Sequence, residues 1–278
     1  MDLPTVTGLR RPVDRAGLAG LGPGTALLAG GTWLFSEPQD HLHTLVDLAG
    51  LGWEPVTRTA DGVSIAATCT VDELVAAGIP LADECAGALA ASFKITSQAT
   101  VGGNLCLALP AGSMTSLAVA LDGVAVLWGP AGDRRVPVVD LVTGVRTTAL
   151  HPGEVLRSIE LPAAALEARL AFRRAALSAQ GRSSAVVTGR RHTGSAPGTP
   201  AASGVPDTGP VCADAFVLGI SAGTPRPHRF GFSDVPSAGE VVAVLDSVPE
   251  WYDDAHGSPD WRRHVTGVLA EQVRETLA

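Results

Sequence analysis

The chain has 278 residues, 46% of them hydrophobic and 17% charged, with a formal net charge of −8. That length suits one large domain or two smaller ones, and the apolar fraction is enough for a real core. The acidic balance without any Lys/Arg cluster argues against a nucleic-acid face, and no apolar run reaches the ~18 residues that a membrane span needs.

In chain order, 26–28 reads as a short buried strand feeding a glycine turn, 45–48 as a second strand and 62–66 as an alternating third. Thr70 and Glu73 form a capping box ahead of Leu74 and Val75, which predicts a helix that Gly78 and Pro80 stop. The Ala-rich stretch 81–93 predicts another helix, leading to a second glycine turn. A helix over 114–121, a buried strand over 124–128 and a turn at 129–132 follow. Next come a partly polar strand over 134–141 and a half-buried strand over 155–161, which Pro162 ends.

The pattern changes after Pro162. Strands are expected at 170–175, 184–189 and 214–220, with no clear helix between them, so an antiparallel sheet is the simplest reading. The segment 193–210 is Gly, Ser, Ala, Pro and Thr apart from Val205 and Asp207. It has too little apolar surface to order itself and is expected to be a mobile hairpin insertion. Ser237 and Glu240 cap a helix over 241–245, and Ser258 with Pro259 starts the last one. On that helix Trp261, Val265, Val268, Leu269, Val273 and Leu277 form a stripe expected to cover the sheet.

No catalytic constellation is visible. His41 and His43 lie two apart without a carboxylate spacing that suggests a metal. Cys69, Cys85, Cys106 and Cys212 show no CxxC spacing, so neither zinc nor an iron–sulfur cluster is expected in this chain. Reduced thiols, and a start at Met1-Asp2-Leu3-Pro4 that lacks signal-peptide regions, lead to a cytoplasmic location as the expectation. What stands out is two Gly-Gly pairs, in Ala29-Gly30-Gly31-Thr32 and in Thr100-Val101-Gly102-Gly103-Asn104-Leu105. Each alone is first a turn signal. Glycine lets a ligand approach the backbone, and successive N–H groups can converge on an anion. Two such loops could clamp the two ends of a pyrophosphate.

These paired motifs resemble the FAD-binding subunit of the molybdenum hydroxylases, the family of the xanthine and carbon monoxide dehydrogenases. Leu121-Asp122-Gly123, Thr143-Gly144, Pro152-Gly153-Glu154 and Thr224-Pro225-Arg226-Pro227 continue the likeness over nearly the whole chain, with a gap near 193–210. The resemblance implies an α+β fold. A two-part FAD-binding module of the vanillyl-alcohol-oxidase (PCMH-like) type would fill 1–165, with parts at about 1–57 and 58–165. A C-terminal domain at 166–278 would follow, a three-stranded antiparallel sheet covered by helices.

The resemblance also implies roles. The backbone of Ala29, Gly30, Gly31, Thr32, Trp33 and Leu34 would wrap the FAD pyrophosphate, with a hydroxyl from Thr32. Gly102, Gly103 and Asn104 would complete the clamp, with Thr100 close by. Leu156 would pack near one end of the cofactor, and Arg173, where the family often has Lys, would contact the flavin. Three departures stand out: Trp33 where the family has an acid, Ser113 where it has an Asp that binds a ribose hydroxyl, and Leu107 where a hydroxyl is common. Partners would be a 2Fe–2S iron–sulfur subunit and a large molybdenum-cofactor subunit. Electrons would pass through FAD to NAD, oxygen or another acceptor. The alternatives are a degenerate structural subunit that has lost FAD, and a self-contained flavin oxidase.

Overall fold

The computed structural model describes residues 3–192 and 214–278, so the insertion expected at 193–210 lies outside the described residues. The chain opens with three parallel strands, β1 (Gly8–Arg10), β2 (Thr25–Leu28) and β3 (Thr44–Asp47), in the order β1-β3-β2. Two of these were expected. β1 was missed because its three residues bury too little to leave an alternating pattern.

The next unit begins with β4 (Val56–Thr59) and β5 (Gly62–Ala66). The expected capping box then starts α1 (Val71–Ala76): the Glu73 N–H donates to Thr70 Oγ1 at 3.2 Å, and the Thr70 N–H donates to Glu73 Oε2 at 2.8 Å. The single helix expected over 81–93 is two pieces, α2 (Ala82–Ala88) and α3 (Phe93–Thr96). Ala90 between them is left-handed (φ 55), which breaks the helical hydrogen-bond ladder whatever the helix propensity of its neighbours. The second glycine pair is also not a turn. Gly102 and Gly103 form the first turn of α4 (Val101–Leu107), with Thr100 as its N-cap. α5 (Ser113–Ala120) follows, and all eight of its residues are buried.

Past α5 come β6 (Val124–Trp128), β7 (Arg134–Pro137) and α6 (Val138–Leu141). The strand expected over 134–141 therefore stops halfway. Pro137 has no N–H to extend the ladder, and the chain turns into a helix. A small hairpin, β8 (Val142–Gly144) and β9 (Thr147–Thr148), precedes β10 (Val155–Pro162). β4, β5, β10, β6 and β7 make one antiparallel five-stranded sheet in that order. The helices cover it, and Ile65, Leu74, Leu105, Met114, Leu117, Leu127 and Ile159 form its core. A register shift between Leu156 and Ser158 lets Arg157 out of the ladder. Its guanidinium lies 4.5 Å from the Trp53 ring centroid and 5.5 Å from that of Trp128, stitching this sheet to the first.

A short α7 (Ala163–Leu166) leads to β11 (Arg169–Ala176), β12 (Ser183–Arg191), β13 (Phe216–Ser221) and β14 (His228–Phe232). The C-terminal sheet therefore has four antiparallel strands, not three. The sequence of β14, His-Arg-Phe-Gly-Phe, follows a proline-rich run and contains a glycine, which hid it. Two helices finish the chain: α8 (Ala238–Asp246), with the expected capping box, and α9 (Pro259–Leu277). α9 covers the sheet with most of the expected stripe, Val265, Leu269, Val273 and Leu277, and with three further buried residues. Arg262, Thr266, Leu269, Ala270, Val273 and Leu277 are buried, while Trp261 and Val268 from the expected stripe are exposed. Arg262 takes a core position by donating to the carbonyls of Ser184 and Ala222, both at 2.6 Å.

α5 joins the two halves. It shares the core of the five-stranded sheet and packs on β12 and β13, where the Ser116 and Ser221 hydroxyls lie 2.7 Å apart.

Candidate functional site

The first glycine pair lies against Gln98 and Ala99, the two residues that lead into the second motif. A Cβ at Gly30 would lie 1.8 Å from the carbonyl oxygen of Gln98 and 3.2 Å from Cα of Ala99. Only a residue without a side chain lets the backbone at 30 press on the backbone that enters α4. Gly31 is left-handed (φ 69), a backbone state that favours glycine in a turn. It turns the chain so that the Phe35 N–H donates back to the Gly31 carbonyl at 3.0 Å.

The hydrogen bonds of the two motifs differ sharply. Among the described residues, no backbone N–H at 30–34 donates to a protein acceptor. Unused donors at a glycine turn bind an anion where they converge. In the second motif the donors are spent. The N–H groups of Val101, Gly102, Gly103 and Asn104 go to Cys69 O (2.8 Å), Ala67 O (3.0 Å), Thr100 Oγ1 (3.1 Å) and Thr100 O (3.0 Å). The free N–H donors expected at both glycine pairs are therefore found only at the first. The partners at Ala67 and Cys69 are remote in sequence, so no local pattern announces them.

Each residue of the second motif has another duty. Gly102 is a packing glycine, since a Cβ there would lie 2.5 Å from the Ala67 methyl. Gly103 is exposed, and its Cβ would meet only Thr100 Oγ1, at 2.8 Å. Asn104 Oδ1 accepts from the Met114 N–H at 3.1 Å, which caps α5 from outside because its own N-cap residue is Gly112. Ser113 Oγ and Thr115 Oγ1 in the first turn of α5, and Trp33 Nε1 in the first loop, are buried with no hydrogen-bond partner. Buried polar groups are normally paired, and Ser184 Oγ, Arg190 Nε, His192 Nε2 and Thr266 Oγ1, away from the glycine motifs, share this state. Thr115 was not singled out from the sequence, and an isolated Thr in an apolar run carries no signal there.

Leu156 shares a core cluster with Val101 and Leu105 of the second motif, while Arg173 bonds to neither motif. Leu156 is 3% exposed and packs in the main core opposite Leu127. Arg173 donates to the Phe172 carbonyl (2.8 Å) and to Thr276 Oγ1 on α9 (3.0 Å), and to no residue of either glycine motif. Ala29 and Thr32 flank the glycines as expected, half-buried, with Ala29 packed beside Leu27 in the cluster under the first sheet.

Comparison with known proteins decides the family. Residues 14–164, more than half of the chain, match the model of the FAD-binding domain in molybdopterin dehydrogenase. The chain belongs to this FAD-binding family. Both glycine motifs lie inside the matched span. The carbon monoxide dehydrogenase medium chain of Hydrogenophaga pseudoflava is 29% identical over 155 residues, 52% of this chain and 54% of that one. The corresponding chain of Afipia carboxidovorans is 33% identical over 154 residues, 52% and 53% of the two. The chain thus spans about half the length of these relatives. In fold the likeness extends further. A solved carbon monoxide dehydrogenase of Oligotropha carboxidovorans superposes with TM-score 0.81 at 23% identity, covering 100% of both chains. Quinoline 2-oxidoreductase of Pseudomonas putida gives 0.77 at 20% identity, covering 100% of this chain and 98% of that one. FAD is the cofactor of the family.

Proposed function

We propose that this chain is the flavin subunit of a multi-subunit molybdenum hydroxylase, with a two-part FAD-binding module at 1–165 and a C-terminal domain at 166–278. The observation that carries the reading is the run of unused N–H donors at 30–34, pressed by Gly30 against the entry to α4. These donors suit the diphosphate of FAD. Hydroxyls of Ser113 and Thr115 and the indole N–H of Trp33, buried without partners, suit its sugar and ring polar atoms. FAD, when bound, supplies the one- and two-electron chemistry that side chains lack. The chain's own contribution is to hold and orient it. The spent donors of α4 and the Ser113 substitution are what a structural subunit without FAD would offer, but such a subunit has no use for free donors at 30–34.

Among the described residues no group of His, Cys, Asp and Glu side chains is arranged to hold a metal. Burial, with Glu73 nearby, pushes the Cys69 thiol up to about 12, and burial raises Cys85 also, so both stay protonated. Electrons then come from another chain, and a 2Fe–2S subunit together with a large molybdenum subunit fits that need. NAD, oxygen or another acceptor would take them away. No helix among the described residues is long and apolar enough to cross a membrane. Affinity purification of the tagged chain, expressed with its genomic neighbours, should bring down both partner subunits. A clean monomer with full dehydrogenase turnover would contradict the assignment and favour a self-contained oxidase.

A further inference from the structure

The β8–β9 hairpin brings a cation to the first glycine loop. Arg146, at its tip, is left-handed (φ 55), a backbone state disfavoured for a residue with a Cβ. Its N–H donates to the Ala108 carbonyl at 2.8 Å, which ties the hairpin to the end of α4. Its guanidinium carbon lies 5.7 Å from the centroid of the Trp33 ring. Its Nη1 is 3.6 Å from Oε2 of Glu37. One residue thus links the C-terminal end of α4 to the first loop, and its charged end sits over the Trp33 ring, within the run 30–34 whose N–H donors are free.

The nature of these contacts matters. A tryptophan face attracts a guanidinium without neutralising it. An acid at position 33, as the resemblance would have it, would cancel the charge. Glu37 does so only weakly, because 3.6 Å exceeds a hydrogen bond and both side chains are about half exposed, 53% and 44%. A planar guanidinium can bond two phosphate oxygens at once. We infer that Arg146, held on Trp33, is an additional binding residue for the cofactor's diphosphate, which it meets in competition with Glu37. The inference rests on the flavin reading above and adds a residue that neither glycine motif contains.

The test is titration of the flavin-stripped full chain with FAD, followed by flavin fluorescence at several salt concentrations. Arg146→Gln should weaken binding by about ten- to a hundredfold and flatten its salt dependence. Glu37→Gln removes the competing carboxylate and should tighten binding by about two- to fivefold. A merely structural ion pair would give the same sign for both variants. The Glu37→Gln arm is decisive by itself if Arg146→Gln folds poorly. Unchanged FAD affinity in a folded Arg146→Gln, or weaker binding by Glu37→Gln, overturns the inference and leaves the flavin reading standing. A folded parent that takes up no FAD overturns both.

Discussion

Gly30→Ala should empty the flavin site. The added methyl would fall 1.8 Å from Gln98 O and 2.7 Å from its carbonyl carbon. Carbon atoms pack at about 3.5–4.0 Å, and the obstruction is backbone, which has no rotamer to change. The loop must retreat by more than an ångström, taking the free donors at 30–34 out of register with a ligand resting on α4. Hydrogen bonds to charged groups contribute on the order of 1.5–3 kcal/mol each, so losing two lowers FAD affinity by roughly two to four orders of magnitude. Overpacking adds a stability cost of about 1–3 kcal/mol. Gly103→Ala is the matched control. Its methyl meets one hydroxyl and otherwise open space, and its N–H already belongs to Thr100. It should keep FAD within about tenfold of the parent. Isothermal titration of both variants checks the contrast. Equal losses would mean that the glycines act through folding and not through the approach of two backbones.

Asp122→Asn should have the largest effect on stability. Asp122 follows α5 and is left-handed (φ 49). Its carboxylate pairs with Arg190 of β12 and accepts from Arg229 Nε of β14 at 2.7 Å. Arg190 also donates to the Ala120 carbonyl at 2.9 Å, and Arg229 reaches Asp214 Oδ2 at 2.9 Å. The Asp122 and Arg190 side chains are 1% and 0% exposed, so the bridge between the two halves is a buried ion pair. Removing one partner of such a pair costs about 3–5 kcal/mol, because the other charge stays buried alone. For a chain of this size that lowers the melting temperature by on the order of 10 °C. Asp246→Asn, which breaks an exposed pair with Arg263, should cost no more than about 1 kcal/mol.

The same carboxylate predicts the acid limb. Burial pushes the Asp122 pKa up, but the hydrogen bond from Arg229 and the charge of Arg190 outweigh it and hold it below the ordinary carboxylate value. A depressed folded pKa gives stability that is present above the unfolded value, about 3.9, and lost as pH falls through the folded one. The parent should lose this contribution in strong acid, and Asp122→Asn, which never had it, should show a shallower acid limb. Parallel limbs would mean that the pair does not couple protonation to folding.

Local chemistry was legible in the sequence and remote chemistry was not. Both capping boxes, the proline that starts α9 and the strand that Pro162 ends are written within four residues of each other and appear as expected. The glycine pairs also lie inside the span that matches the FAD-binding family model. Their hydrogen bonds did not follow, because Ala67 and Cys69 decide whether the donors of α4 are free. Asp122 read only as part of a Leu-Asp-Gly landmark, since Arg190 and Arg229 are 68 and 107 residues away. Arg146 gave no signal at all: a lone arginine in a loop becomes informative only when a hairpin lays it on Trp33. Arg173 shows the converse, a position suggested by resemblance whose side chain here bonds to α9.

The most direct test of the central claim is the flavin content of the full chain. The protein is purified without denaturant, saturated with FAD and passed through a desalting column. Bound flavin is then read from the visible absorbance relative to protein. The free donors at 30–34 predict equimolar FAD in the parent and almost none in Gly30→Ala at the same fold content by circular dichroism. A parent that is folded and monodisperse but emerges colourless would contradict the account.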